Sequence, residues 1–154
     1  MPTKAELQSE NARLRATLAT LTARDGEPTV NRPALIAQYI RDRHDVAAMP
    51  QEHFFAVLLN TRQKPVAVVT VAIGSVASVD VHPRDVFREA ITRNAHSVVL
   101  AHNHPSGDNA PSSADIDLTR RMVEAGRLLG IPVLDHVIVT ADDHCSLAVL
   151  GIIG

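Results

Sequence analysis

Apolar positions along this chain change their spacing in a way that divides it. From Thr3 to Arg24, Lys4, Leu7, Asn11, Leu14, Leu18 and Leu21 follow one another at intervals of three and four. That spacing predicts a helix with one narrow apolar stripe, opened by a Thr3/Glu6 capping box. Asn11 falls at a central a position, Glu10 at g and Arg15 at the following e, the relation that pairs opposite charges between parallel helices. The stripe suits two uses: a short coiled coil that makes a homodimer through residues 1–24, or packing on the domain that follows. Gly26 and Pro28 then stop the pattern. The expected division is a helix over 1–24, a linker over 25–31 and a single domain over 32–154.

Within that domain the spacing alternates between helical and extended. Asn31 is expected to cap a second helix with Pro33 in its first turn and Leu35, Tyr39 and Ile40 on its core face. His53 to Leu59 and the valine-rich run from Pro65 to Gly74 flank a polar turn, which predicts an antiparallel hairpin, and Val76 to Val81 is expected to extend the sheet. Pro83 opens a helix reaching Arg93, with Val86, Phe87, Ala90 and Ile91 inward. A strand from Ser97, a helix from Ser112 to about Leu129, and strands near Val133–Val139 and Ser146–Leu150 complete the order. The pattern predicts an α/β fold of the α+β type, a mixed β-sheet flanked by helices.

Composition narrows the function classes. The 154 residues are 45% hydrophobic, enough for one packed core. With a formal net charge of -2 and no block of like charge, the chain lacks a generic nucleic-acid footprint, so DNA is not supported as a partner by charge. No run of eighteen apolar residues predicts a membrane span, and the polar helical N-terminus differs from a secretory leader, so a cytoplasmic location is expected. Cys145 is the only cysteine, which rules out an intrachain disulfide or a cysteine-based zinc site; core packing is its expected role.

The chemistry concentrates between Ala101 and Asp115. His102 and His104 end the apolar run Ser97-Val98-Val99-Leu100-Ala101, and on a strand residues two apart point the same way. Ser112 and Asp115 stand where the next helix begins, so a carboxylate from a helix start can close on the same point. Taken singly, Ser112 and Asp115 also make an ordinary capping box. Two imidazoles and a carboxylate form a three-ligand zinc set that leaves a fourth position for water, the mark of a catalytic rather than a closed structural site.

His-x-His, seven residues and Ser-x-x-Asp resemble the JAMM (MPN+) metalloprotease motif, and the form His102-Asn103-His104-Pro105-Ser106-Gly107-Asp108 resembles the RadC family closely. The likeness runs from about Pro50 to Gly151 and takes in Val81-His82-Pro83-Arg84-Asp85-Val86-Phe87, Thr119 and Leu134-Asp135-His136-Val137-Ile138-Val139. The resemblance implies the JAMM fold, which is cytidine-deaminase-like. It also implies one zinc held by His102, His104 and Asp115, and a general base at Glu52. In that scheme Glu52 takes a proton from water and passes it to the departing amine, while Ser112 donates to the oxyanion. Two features depart from the family pattern. A short polar helix stands where longer RadC proteins have a helix-hairpin-helix type region, and Asn103 stands where eukaryotic deubiquitinating enzymes of the JAMM type have Ser or Thr.

The expected function is therefore zinc-dependent hydrolysis of a peptide or isopeptide bond in a protein or peptide substrate. The alternatives are a metal-dependent DNA-repair or DNA-processing accessory protein, suggested by the family's traditional association, and a non-catalytic interaction module, against which the full ligand set argues. Arg84 suits either an anionic substrate group or a structural ion pair. Asp135 and His136 suit either support of the metal ligands or a strand cap.

Overall fold

Among the described residues, strand β1 (His53–Leu59) lies inside a five-stranded sheet in which β2 (Pro65–Ile73), β1, β3 (Ser97–Asn103), β4 (Val133–Val139) and β5 (His144–Ser146) stand side by side in that order. It runs antiparallel to β2 on one side and to β3 on the other, while β3 and β4 are parallel and β5 is antiparallel to β4. The sheet is therefore mixed, as the pattern predicted. The computed structural model describes residues 1–14, 28–74 and 81–154. The expected strand Val76–Val81 apart from Val81, the seam beyond Leu14 and residues 25–27 of the linker lie outside them.

Alternation along the central strands builds two cores. Phe54, Ala56 and Leu58 of β1 and Val98 and Leu100 of β3 face helices α3 (Pro83–Thr92) and α4 (Ser113–Leu129), joining Val86, Phe87, Leu118 and Met122. Phe55, Val57, Leu59, Val99 and Ala101 face the other way and meet Ile36, Ala37, Tyr39 and Ile40 of α2 (Pro33–Arg43). Such period-two burial on both faces is what a central strand sandwiched between helices requires.

Helix α4 links the parallel pair β3 and β4. Ser112 caps its start, and Gly130 ends it in the left-handed conformation at φ 70°, where a side chain would be strained. Ile131 N–H then turns back to the Gly126 carbonyl at 2.9 Å, and a Cβ on Gly126 would lie 2.5 Å from the Ile131 carbonyl oxygen. The return into β4 therefore needs glycine at 126 as well.

Four details differ from expectation. Arg32, not Asn31, precedes α2, and no side chain caps it; Pro33 at the first helical position has no N–H to satisfy. Leu35 is 36% exposed and Ile91 58% exposed, because the inward stripes of α2 and α3 are centred on Ile36–Ile40 and Val86–Ala90, one residue away from each. The strand expected at Ser146–Leu150 is instead His144–Ser146 followed by a turn, in which Leu150 N–H bonds the Ser146 carbonyl. Helix α1 (4–14) begins with the Thr3/Glu6 capping box, and every residue from 1 to 14 is exposed, Leu7 and Leu14 included. The first half of the stripe thus does not pack on the domain.

Candidate metal centre

The row Val98-Leu100-His102 is continuous on the α4 side of β3, so strand alternation carries His102 into the core, fully buried. His104 follows just beyond the strand's carboxyl end, where open α/β sheets commonly place their sites. Asp115 approaches from the first turn of α4. It is held there by the reciprocal cap: Ser112 N–H donates to Asp115 Oδ2 at 2.8 Å and Asp115 N–H donates to Ser112 Oγ at 3.1 Å.

These three side chains converge. His102 Nε2 lies 2.9 Å from His104 Nε2 and 3.4 Å from Asp115 Oδ1, and His104 Nε2 lies 3.4 Å from Asp115 Oδ2. One ligand atom from each falls within 4.8 Å of the others. His104 Nδ1 is 2.7 Å from the Asp108 carbonyl, which can only accept, so Nδ1 holds the ring proton and Nε2 presents a lone pair. His102 Nδ1 is engaged at 2.7 Å by His136 Nε2, which turns His102 Nε2 to the same point. Two imidazole nitrogens and a carboxylate facing one another form a set of acceptors, which can hold a cation. Two nitrogens and one oxygen with no thiolate suit a divalent first-row metal ion, zinc among them.

The electrostatics agree with that capacity. Burial would raise the Asp115 carboxyl, but the approach of His102 and His104 and the Ser112 N–H hold it well below the usual carboxylate range. Asp115 raises His104 above its ordinary value, against burial and with help from the Asp108 carbonyl and Glu52. Burial drives His136 far down, which keeps it neutral.

Glu52, His104, Asp108, Ser112 and Asp115 line one cleft of about 300 Å³, so the structure brings both expected catalytic residues into one cleft with two of the expected ligands, His104 and Asp115. Ser112 Oγ accepts from Asp115 N–H and leaves its own proton free to point outward, so capping and donation to an oxyanion are compatible in one hydroxyl. Glu52 precedes β1, and the buried Asn103 grips the chain on both sides of it: His53 N–H donates to Asn103 Oδ1 at 2.6 Å, and Asn103 Nδ2 donates to the Gln51 carbonyl at 3.1 Å. A larger cleft of about 460 Å³ lies between α2 and β4, but its mostly apolar wall offers only one acid, Asp135. The chemistry favours the smaller one.

The remaining candidates separate. Arg84 is exposed and forms no ion pair with any described residue. His136 lies behind His102, whereas Asp135 points to the opposite face. Cys145 is only partly buried, and burial together with Asp135 and Asp143 raises its thiol, the reverse of what a nucleophile needs. Sequence reasoning missed the grip of Asn103, the carbonyl of Asp108 and the contact of Thr119 with His136.

Comparison with known proteins gives the family. The model of the RadC-like JAB domain matches residues 30–152. A UPF0758 protein of Desulfitobacterium hafniense is 44% identical over 126 residues, covering 82% of this chain and 55% of that protein. One from Caldanaerobacter subterraneus subsp. tengcongensis is 54% identical over 103 residues, covering 67% of this chain and 44% of that protein. The chain spans about half the length of the curated relatives it matches. With its five-stranded mixed sheet, flanking helices and a family match over most of its length, this chain belongs to the RadC family and carries a RadC-like JAB domain.

Proposed function

We propose that this domain is a zinc-dependent hydrolase that cleaves a peptide or isopeptide bond in a protein or peptide substrate. The observation that carries the reading is the convergence of three acceptor atoms, His102 Nε2, His104 Nε2 and an Asp115 oxygen, beside a cleft that His104 and Asp115 line together with a carboxylate and a hydroxyl.

His102, His104 and Asp115 would hold one zinc per chain. When bound, zinc would supply a Lewis acid that lowers the pKa of a water into the neutral range. Glu52 accepts the proton from the attacking water and returns it to the departing amine, so one carboxylate serves as base and then acid. Asn103 keeps Glu52 in place through the backbone on either side. Ser112 donates its free proton to the oxygen on which negative charge develops.

The test is metal analysis of the purified protein, coupled to a cleavage screen over linked peptides, with nucleic acids in a parallel arm. About one zinc per chain is expected, lost in His102→Ala and in His104→Ala. Full zinc occupancy in the double variant would refute the ligand assignment. Cleavage confined to nucleic acid would replace the peptidase reading with the DNA-directed one.

The exposed stripe of α1 supports a second part of the proposal, a parallel homodimer formed through residues 1–24. Deleting that segment should lower the mass seen by sedimentation and leave zinc bound. An unchanged mass would refute it. No described helix is long and apolar enough to cross a membrane.

A further inference from the structure

Behind His102 lies a buried polar chain that the proposed reaction does not use. Thr119 Oγ1 is 2.6 Å from the Asp115 carbonyl oxygen and 2.6 Å from His136 Nδ1, and His136 Nε2 is 2.7 Å from His102 Nδ1. His102, Thr119 and His136 are each 0% exposed, so solvent offers none of them another partner. Thr119 follows Asp115 by one helical turn, and the parallel register that sets Leu100 beside His136 puts both imidazoles on the α4 side of the sheet. Phe54 braces the pair, stacked near His102 with ring centroids 6.2 Å apart and edge-on to His136 at 5.5 Å.

With both rings neutral, each of these groups has one proton for the chain. Only two orderings then satisfy both the Thr119–His136 and the His136–His102 links. In the first, Thr119 donates to the Asp115 carbonyl and accepts from His136 Nδ1–H, His136 Nε2 accepts from His102 Nδ1–H, and His102 Nε2 is left with a lone pair. In the second, every proton is reversed: Thr119 donates to His136, His136 donates to His102, and His102 Nε2–H points into the cleft. The second ordering leaves two oxygens, Thr119 Oγ1 and the Asp115 carbonyl, 2.6 Å apart with no proton between them. That contact is repulsive, and a buried carbonyl cannot turn into a donor.

We propose that Thr119 and His136 are positioning residues that fix the tautomer of His102, so that its Nε2 lone pair faces the site before any metal arrives. The proposal rests on the metal-binding reading above. Helix α4 then contributes twice, with Asp115 as a ligand and Thr119 as the anchor that sets the proton order of a second ligand from a different strand. Partners of this kind fix ring orientation and are typically worth about tenfold to a hundredfold in metal affinity.

The experiment has two arms. Zinc affinity is measured by competition with a chromophoric chelator for the unmodified protein, Thr119→Val and Thr119→Ser, with folding checked by circular dichroism. Imidazole proton–nitrogen correlation spectra of the zinc-free protein report which nitrogen of His102 is protonated. Thr119→Val keeps the side-chain shape but gives His136 Nδ1–H no acceptor, so affinity should fall about tenfold to a hundredfold and the His102 signal should become a mixture of tautomers. Thr119→Ser restores the hydroxyl and should recover both. Wild-type affinity in a folded Thr119→Val protein, or a proton on His102 Nε2 in the unmodified zinc-free protein, would overturn the proposal. Failure of the unmodified protein to bind zinc would refute the metal reading instead, and the spectra would still decide the tautomer.

Discussion

Two neighbours on β4, Asp135 and His136, sit in buried polar clusters on opposite faces of the sheet, and the clusters differ in kind. Asp135 Oδ1 accepts from His136 N–H at 2.7 Å and from Ala148 N–H at 3.1 Å, Oδ2 accepts from Ser146 Oγ at 2.7 Å, and Ser146 Oγ accepts from Val149 N–H at 3.1 Å. Every donor there meets an acceptor. The other cluster runs from Thr119 through His136 and His102 to His104 and Asp115, and it ends on three acceptors facing one another. The carboxyls respond in opposite directions: burial raises Asp135, while the imidazoles beside Asp115 hold it low. Burial of polar groups is common to both clusters, so it does not mark a site. A set of acceptors that face one another beside a cleft does.

If that distinction is sound, changes on the open side should alter chemistry with little effect on folding. The largest effect is expected from Glu52→Gln, which keeps size and hydrogen bonding but cannot take a proton. Hydrolysis should fall by about 10²–10⁴-fold, towards the upper end because one residue serves both transfers, while zinc content and melting temperature persist. Near-normal turnover on a cleaved substrate would exclude Glu52 as the base, and loss of zinc would make it a ligand or a support of the site. Ser112→Ala should come next, lowering turnover by about 10²–10³-fold at nearly constant zinc affinity. It also removes the α4 cap, a loss of about 1 kcal/mol that denaturant unfolding would read separately. Equal losses of turnover and zinc would mean that Ser112 acts only through the cap.

How much of this the sequence disclosed follows from the range of the forces involved. Strand β1 was legible to the residue, because a continuous apolar run bounded by turn residues reports burial on both faces, and β4 was legible from the apolar residues on either side of Asp135 and His136. The approach of His102, His104 and Asp115 was legible too, since it needs only strand alternation and a helix start within fourteen residues. Face width was harder. Leu35 and Ile91 are apolar and adjacent to the true stripes, and periodicity alone cannot place the edge of a stripe within one residue. The partnerships of Asn103 with His53, His136 with His102 and Thr119 with His136 span 50, 34 and 17 positions. Each depends on which strands neighbour one another and in what register, information that a local pattern does not contain. Asp135 and His136 stood open for the same reason: alternation puts them on different faces, and only the register of β3 with β4 tells which one lies behind His102.

The closed cluster provides the reverse test, and its effect should be the smallest. Asp135→Ala removes the acceptor of three donors at once, so folding stability should drop by about 1–3 kcal/mol while zinc affinity stays close to normal. Asp135→Asn is milder: its oxygen can still accept from His136 N–H and Ala148 N–H, and its amide can donate to Ser146 Oγ. The pH dependence then distinguishes the two forms of the carboxyl. Burial raises the folded pKa of Asp135 above its ordinary value of 3.8, so the folded state binds its proton more tightly than the unfolded chain does. That contribution is fully present below pH 3.8 and is lost as pH rises through the folded value. The unmodified protein should therefore lose stability relative to Asp135→Asn as pH climbs across that window, and the difference should level off above it. Denaturant unfolding of both proteins from acid to neutral pH measures this directly. A difference that does not change with pH would mean that the hydrogen bonds from Ser146, Ala148 and His136 fully offset the burial of the charge.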